Sequence, residues 1–388
     1  MFSDTYLPTI NGVATATALL AEMLAEKGHD ILLVIPKPAK GLKVPPVHKR
    51  IKLEVLRSIS APMYPHFRLA APSGRTIKVL REFRADVIHV HTPLTIGFEG
   101  VLAGKFLGIP LVQTFHTLFT HPDYLQHFGI ANEQLASWVE RGTWMPVKMF
   151  CRNFKVNICP TEQIRQEMKK RGIHNTVTVP VSVDVEGFAE GAKSRKENYF
   201  GGQVPVLFYL GRLSIEKNVQ LILRALANLN RKGREVRMVV VGDGPYRDRL
   251  VDLAFELGVS RQVVWCGGIP FKEIRDKGWY KAGDIFVTAG RAETFGMTAV
   301  EAQASGVPVI AVASAGAVQA VGAYGMLVKN GKDEQLVKSL TAAVDRMLKP
   351  EVNKSYRIKA REGAKRFSRE AVYQQYEDMY RGLIEKKR

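Results

Sequence analysis

The stretch Asp284-Ile-Phe-Val-Thr-Ala-Gly290-Arg-Ala-Glu293-Thr-Phe-Gly-Met-Thr-Ala-Val-Glu301-Ala-Gln-Ala-Ser305-Gly-Val-Pro308 contains one complete strand-to-helix unit. Its apolar run, Asp284 to Val287, reads as a buried strand, and Gly290 breaks that pattern. Glu293 then falls in a strand-to-helix loop, Thr294 to Ser305 reads as a helix, and Val307 to Val312 reads as the next strand. The two glutamates stand eight positions apart, about two helical turns plus a little. Glu301 would therefore project near the face that carries the loop, and two carboxylates could accept hydrogen bonds from several hydroxyls of one extended ligand. Sugars and ribose are such ligands; a surface helix with ordinary acids is the alternative for such a pair taken alone.

The same rhythm extends outward in both directions. Val204 to Leu210, Val236 to Val241 and Val263 to Cys266 precede it as apolar runs, each followed by a Gly or Pro breaker. Nearer the N-terminus, Ile31 to Ile35, Val87 to Val90, Leu111 to Phe115 and Val177 to Val179 look like buried strands with helical patterns between them. This alternation is that of parallel α/β sheets. A chain of 388 residues exceeds the size at which one core stops growing, so two domains are expected. Val185 to Gln203, rich in Gly, charge and small residues, reads as the linker between them. Two doubly wound domains facing each other would form a cleft at the carboxyl ends of both sheets. Met1-Phe2 runs straight into Ser3-Asp4-Thr5-Tyr6-Leu7-Pro8 without room for a full first strand, so a few upstream residues are expected to extend a central strand and raise thermal stability.

Composition narrows the function classes. No run of 18 or more apolar residues and no charged-then-apolar leader is found, so the chain is expected to remain on the cytoplasmic side. Cys151, Cys159 and Cys266 lack metal-ligand spacing and suit a reducing compartment. Lys and Arg number 56 against 37 Asp and Glu, a formal charge of +19, so an anionic partner is expected. Eleven basic residues fall between 40 and 84, among them Lys49, Arg50, Arg68, Arg75 and Lys78, against Glu54 and Glu82. A solvated basic face is the alternative. A nucleic-acid-binding protein would also suit the charge, but no recognition module is found and nucleic acid is not expected as a partner.

Two places suit phosphate. Asn11-Gly12-Val13 opens the helix Ala14 to Glu26, so backbone amides near Gly12 could approach an anion, although such a glycine is also common in plain turns. Strand Val204 to Leu210 ends in Gly211-Arg212-Leu-Ser-Ile-Glu216-Lys217-Asn218, before a helix from about Val219 to Asn228. Arg212 can grip phosphate oxygens in a fork while Lys217 supplies a point charge. Gly242-Asp-Gly-Pro245 reads as a tight architectural turn. Near strand ends in the first half lie His89, His91 and His116; His89 alternates with apolar neighbours and reads as a packed residue, whereas His91 and His116 are acid-base candidates. The histidines lack carboxylate or cysteine partners at ligand spacing, so no metal is expected. No Gly-x4-Gly-Lys-Ser/Thr loop and no Gly-x-Gly-x-x-Gly after a strand is found, which removes the main support for ATP hydrolysis and ordinary NAD binding.

Together, Asn11-Gly12-Val13, Asp86 to His91, Thr114 to Thr117, Val179-Pro180 through Val183-Asp184, Gly211-Arg212 with Glu216-Lys217, Val241 to Pro245, and Glu293-x7-Glu301 with Ala304 to Pro308 resemble glycosyltransferase family 4 over almost the whole chain. The resemblance implies the GT-B fold: an acceptor-binding Rossmann-like domain over 1–190, a nucleotide-sugar domain over 204–366, and a C-terminal helix over 367–388 crossing back to the first. Ser3 to Pro8, His89 to Gly97 and Thr114 to Phe119 are similar to bacterial diacylglycerol glucosyltransferases and related lipid glycosyltransferases. Trp138, Trp144, Met145, Lys148, Met149, Phe150, Arg152, Phe154 and Lys155 form an aromatic and basic stretch that could lie on an anionic leaflet or form an ordinary core helix.

Residue by residue, the resemblance implies that Arg212 and Lys217 bind the donor diphosphate, Gly12 gives it a backbone amide, Glu301 holds the ribose and Glu293 contacts the donor sugar within Glu293-Thr294-Phe295-Gly296. His116 would sit beside the transferred sugar. It further implies a retaining, peripheral-membrane enzyme at the inner face of the cell membrane, moving a hexose from UDP-glucose to a lipid such as diacylglycerol, with the nucleotide sugar as co-substrate and no metal cofactor. A soluble acceptor, a GDP-mannose donor or a nucleotide-sugar epimerase are the alternatives. Gln319 stands where the family often has Glu, which puts that position's binding role in doubt.

Overall fold

A computed structural model describes residues 1–9, 11–61, 64–71, 74–116, 133–191 and 204–385. Thr117 to Phe119 of the quoted motif and 192–203 of the expected linker lie outside the described residues, as does the Trp138 side chain. The chain forms two compact units: the described parts of 1–120 and 133–182 together with the helix from Arg369, and Val183–Ser368.

The second unit contains six parallel strands: β9 (Val206–Leu210), β10 (Arg237–Val241), β11 (Val263–Trp265), β12 (Ile285–Thr288), β13 (Val309–Val312) and β14 (Met326–Val328). Their order is β11-β10-β9-β12-β13-β14, the doubly wound arrangement of a Rossmann-like domain. Because helices cover both faces, strands such as Met238 to Val241 are buried throughout, and this is why they read as unbroken apolar runs.

In the first unit, β1 (Ile31–Pro36) pairs with β2 (Ile51–Leu56), while β5 (Ile88–Val90), β6 (Leu111–Thr114), β7 (Val156–Cys159) and β8 (Thr176–Thr178) form a parallel row. Phe2 joins the two sets, bridging in parallel to Val34 of β1 and Val90 of β5. Its amide donates to the His89 carbonyl at 2.8 Å, and its carbonyl accepts from the His91 amide at 2.8 Å. A hairpin of β3 (Ser58–Ala61) and β4 (Tyr64–Ala70) is an antiparallel addition.

Several boundaries differ from the sequence reading. The chain passes between units at Ser182/Val183, before the polar stretch taken as the linker. Val185–Glu190 is instead a helix of the second unit, capped by Asp184, whose carboxylate accepts from Arg275 at 2.8 Å; Phe188 packs edge-on against Tyr280, ring centroids 5.7 Å apart. The C-terminal helix is Arg369–Glu385, because Phe367 is buried in the second unit, edge-on to Phe295 at 5.4 Å. In the first unit that helix buries Val372 and Tyr376, and Arg369 pairs with Glu26 at 2.8 Å. The helix expected from Thr294 starts at Met297, since Gly296 has a φ of +82° that a helical residue cannot adopt.

Candidate active site

The strand order of the second unit reverses between β9 and β12, so the loops leaving their carboxyl ends diverge and open a crevice. Residues 211–218 follow β9 and residues 289–296 follow β12. The first loop is held by the turn after β10: Gly211 N donates to the Val241 carbonyl at 3.0 Å and Leu213 N to the Asp243 carbonyl at 2.9 Å. A Cβ on Gly242 would lie 1.9 Å from the Gly211 carbonyl oxygen, which explains the glycine and the architectural reading of that turn.

Lys217 ends the single 3-10 turn Ile215–Lys217, and its Nζ donates to Glu293 Oε2 at 2.6 Å. The two residues are 76 positions apart in sequence, and the reversal brings them together. Arg212 lies in the same loop, its carbonyl accepting from Tyr209 Oη at 3.1 Å. Glu216 is buried and accepts from Ser214 Oγ at 2.6 Å. Thr294, Phe295 and Gly296 complete the β12 loop, with Phe295 buried. That loop is fixed by Gly316, whose amide donates to the Glu293 carbonyl at 2.8 Å. A Cβ at Gly316 would lie 2.5 Å from Phe295 N and 2.7 Å from the Glu293 carbonyl oxygen. Gln319, on the same short helix, is half-buried.

Glu301 has a different environment. It is 3% exposed and accepts from Tyr280 Oη at 2.5 Å. Burial raises its pKa to about 7, and the Tyr280 bond opposes that rise. The eight-residue spacing therefore does not present two equivalent carboxylates: Glu293 is held by a cation and Glu301 by a phenol. Tyr280 gave no signal in sequence, because it belongs to the irregular turn Trp279–Ala282.

In the first unit, Gly12 is the first residue of helix Gly12–Glu26, and Asn11 caps it by accepting from Ala14 N at 2.8 Å. A Cβ on Gly12 would meet nothing within 4 Å, so packing does not demand glycine there. His89 is the packed residue expected, bonded through Nδ1 to Tyr380 Oη and through Nε2 to Thr114 Oγ1, both at 2.7 Å. His91 Nδ1 lies 2.9 Å from His116 Nε2 and their rings stack. Burial lowers the pKa of all three, His116 to about 4, so they are neutral near neutral pH. His91 and His116 line a cavity of ≈ 40 Å³ between the β5 and β6 ends and the helix Glu133–Cys151, with apolar walls from Val13, Leu94 and Phe150. Asp4 was missed as a positioning residue. Its buried carboxylate accepts from Thr92 Oγ1 at 2.6 Å, Ile96 N at 2.7 Å and Gly97 N at 3.2 Å, fixing the start of helix Thr95–Leu107.

The basic residues grouped in sequence are dispersed through the first unit. Lys49 and Arg50 precede β2, with Arg50 paired to Asp30 at 2.8 Å; Arg68 bonds Ser58 within the hairpin at 2.9 Å. Arg75 and Lys78 lie on helix Arg75–Phe83, the former 3.1 Å from Glu54. Trp144 does not face outward: it is 6% exposed beneath the Arg171 guanidinium, 5.0 Å from its ring centroid, and Phe150 and Phe154 are also buried. The helical phase turns those rings inward and leaves Met145, Met149 and Arg152 outside, with Lys148 half-buried. Among the described residues, no group of three or more His, Cys, Asp or Glu could hold a metal ion, and no helix is long and apolar enough to cross a membrane.

Residues 10–186 match the family model Glycosyltransferase Family 4, and residues 191–363 match Glycosyl transferases group 1. The alpha-monoglucosyldiacylglycerol synthase of Streptococcus pneumoniae is 29% identical over 327 residues, covering 80% of this chain and 70% of the relative. A GDP-mannose-dependent alpha-mannosyltransferase of Mycobacterium tuberculosis is 29% identical over 312 residues, covering 80% and 77%. Anabaena HepE, solved in complex with UDP, shares the fold with a TM-score of 0.69 at 16% identity, covering 96% of each chain.

Proposed function

The chain belongs to glycosyltransferase family 4, with the GT-B fold, and on that premise we propose that it transfers a hexose from UDP-glucose to a membrane lipid such as diacylglycerol, retaining anomeric configuration. The observation that carries the reading is the Lys217–Glu293 ion pair at the strand-order reversal, with Arg212 in the same loop as Lys217. A diphosphate entering this crevice competes with Glu293 for the Lys217 ammonium and takes the Arg212 fork. Glu293 is then released as an acceptor for sugar hydroxyls. Glu301, with Tyr280 as its partner, takes the ribose. As the bond to the leaving phosphate breaks, the fixed cations neutralise its growing charge, and the acceptor hydroxyl attacks the oxocarbenium-like sugar from the same face, giving its proton to the departing phosphate oxygen. The diphosphate-facing amide of Gly12 and the place of His116 beside the transferred sugar belong to the same proposal.

The lipid half rests on the named product of the pneumococcal relative and on the net charge of +19, which suits an enzyme held peripherally at an anionic inner leaflet. The mycobacterial relative favours a second reading, in which the donor is GDP-mannose. Purified protein given labelled UDP-glucose, UDP-galactose or GDP-mannose, with and without diacylglycerol in anionic vesicles, tests both. A labelled glycolipid from UDP-glucose is the expected outcome. Label passing to lipid from GDP-mannose alone would establish the second donor, and label passing only to water-soluble acceptors would overturn the lipid half.

A further inference from the structure

Helix Thr95–Leu107 is amphipathic in the reverse of the usual sense. Its inward face is built from the small residues Gly97, Gly100, Ala103 and Gly104 with Ile96 and Val101, all buried. The backbone lies so close to the sheet that a Cβ on Gly100 would be 2.8 Å from the Phe2 ring and one on Gly104 2.6 Å from Leu111. The large apolar side chains point the other way: Phe98, Leu102 and Phe106 are 52%, 65% and 68% exposed. They recur every four residues and form one stripe. The contact with the sheet is made by the buried face, so Leu102 and Phe106 take no part in it, and Phe98 packs only with its inner edge.

The elements on either side extend this face. Phe98 packs edge-on against Phe150 of helix Glu133–Cys151 at 4.9 Å, and that helix exposes Met145 and Met149. Beyond its end, Arg152 and Lys155 are exposed, and Lys105 reaches across to Asn153. On the opposite flank helix Arg75–Phe83 is tied to the stripe helix by Thr76 donating to Glu99, and it exposes Arg75, paired to Glu54, Lys78, 3.9 Å from Glu82, and Arg81. An apolar stripe thus runs between two rows of cations, the layout of a surface that lies in a headgroup layer. Apolar patches of this kind on a folded chain mark partners, and rims of one charge sign select them.

We infer that this face of the first unit, with Phe98, Leu102 and Phe106 as the inserting side chains, seats the protein on an anionic lipid bilayer. The inference rests on the lipid-acceptor reading and locates the surface that serves it. The stripe enters the acyl boundary while Lys78, Arg81, Lys105 and Arg152 meet lipid phosphates.

Sedimentation with phosphatidylcholine vesicles carrying phosphatidylglycerol, and with phosphatidylcholine alone, tests it on the full chain. Wild type is expected to sediment with the anionic vesicles and to be released by salt. The triple variant Phe98→Ser, Leu102→Ser, Phe106→Ser should lose about tenfold or more of that partition while remaining folded by circular dichroism, and Leu102→Ser, Phe106→Ser, which keeps the Phe98–Phe150 contact, should lose most of it too. The double variant Arg81→Glu, Lys105→Glu should lose a similar factor at low salt and little at high salt. Unaltered partition of a folded triple variant overturns the proposal. So does wild-type self-association that the triple variant abolishes without any vesicle binding, because the face is then a contact between copies. Should no lipid be glycosylated while the triple variant still loses vesicle binding, the acceptor reading fails and the docking face stands. Glycolipid formation by a chain whose triple variant binds vesicles normally gives the converse.

Discussion

The carboxyl ends of the two parallel sheets are built from the same plan and carry opposite chemistry. In the second unit the loops after β9 and β12 present Arg212, Lys217 and Glu293 around a formal ion pair, with the ionisable Glu301 behind Tyr280. In the first unit the ends of β5 and β6 carry His91 and His116, kept neutral by burial beside a cavity with apolar walls. Strand order decides where a crevice opens, and side chains decide what it can hold. The second unit's loops offer charged groups, and the first unit's sheet end offers neutral and apolar ones.

The sharpest way to break this contrast is to remove charge from the second unit. Lys217→Ala or Arg212→Ala should lower turnover by about 10²-fold or more, because each removes fixed charge from a developing phosphate anion. Steady-state kcat with the labelled donor measures this, and near-normal rates in either variant would refute the phosphate role.

Glu301 sharpens the contrast through pH. Its folded-state pKa is raised from 4.5 to about 7 by burial, so its contribution to stability is full below about pH 4.5 and is lost as pH rises through about 7. Glu301→Gln cannot ionise and should gain about 2 kcal/mol on wild type between about pH 5 and pH 7.5. Urea unfolding at a series of pH values reads the difference, and parallel curves for the two proteins would contradict it. Donor affinity of wild type should rise over the same interval, since ribose hydroxyls bond the ionised carboxylate best.

Gly316→Ala tests the scaffold rather than the charge. The added Cβ would meet Phe295 N at 2.5 Å and must displace the loop bearing Glu293. Donor affinity should fall about tenfold in calorimetric titration while the fold survives. The smallest effect belongs to the first unit, where Tyr380→Phe removes the hydroxyl bonded to His89. A loss of about 1 kcal/mol in unfolding free energy is expected, with donor affinity unchanged. A donor defect in that variant would mean that the two sheet ends are not as separate in role as their chemistry indicates.

Much of this architecture was legible in the chain itself. Strands buried on both faces read as apolar runs, and glycines marked where they end, so the alternation and the cationic loop after β9 were accessible. Boundaries were less so. The helix carrying Glu301 starts at Met297 because the left-handed Gly296 forbids an earlier start, and the polar stretch from Val185 conceals a helix anchored by Phe188. The aromatic stretch after Trp138 was half informative: its helical phase hides Trp144 and Phe150 and exposes Met145 and Met149. The outward stripe of Phe98, Leu102 and Phe106 went unread, because its spacing is also that of a core-facing helix.

Sequence alone determined the α/β class, the family, and the placing of Arg212, Lys217 and Glu293 in loops at strand ends. The class and the loop positions follow from periodicity and local residue chemistry, which are properties of neighbours along the chain, and the family from the resemblance of its motifs. Tertiary structure decided which partner each group takes: Lys217 with Glu293, Glu301 with Tyr280, Asp4 with the start of a helix 92 residues away. It also decided which side of each amphipathic helix meets the core. Those outcomes depend on contacts between distant segments, where the distance from the sheet selects glycine inward and leaves the phenylalanines to solvent.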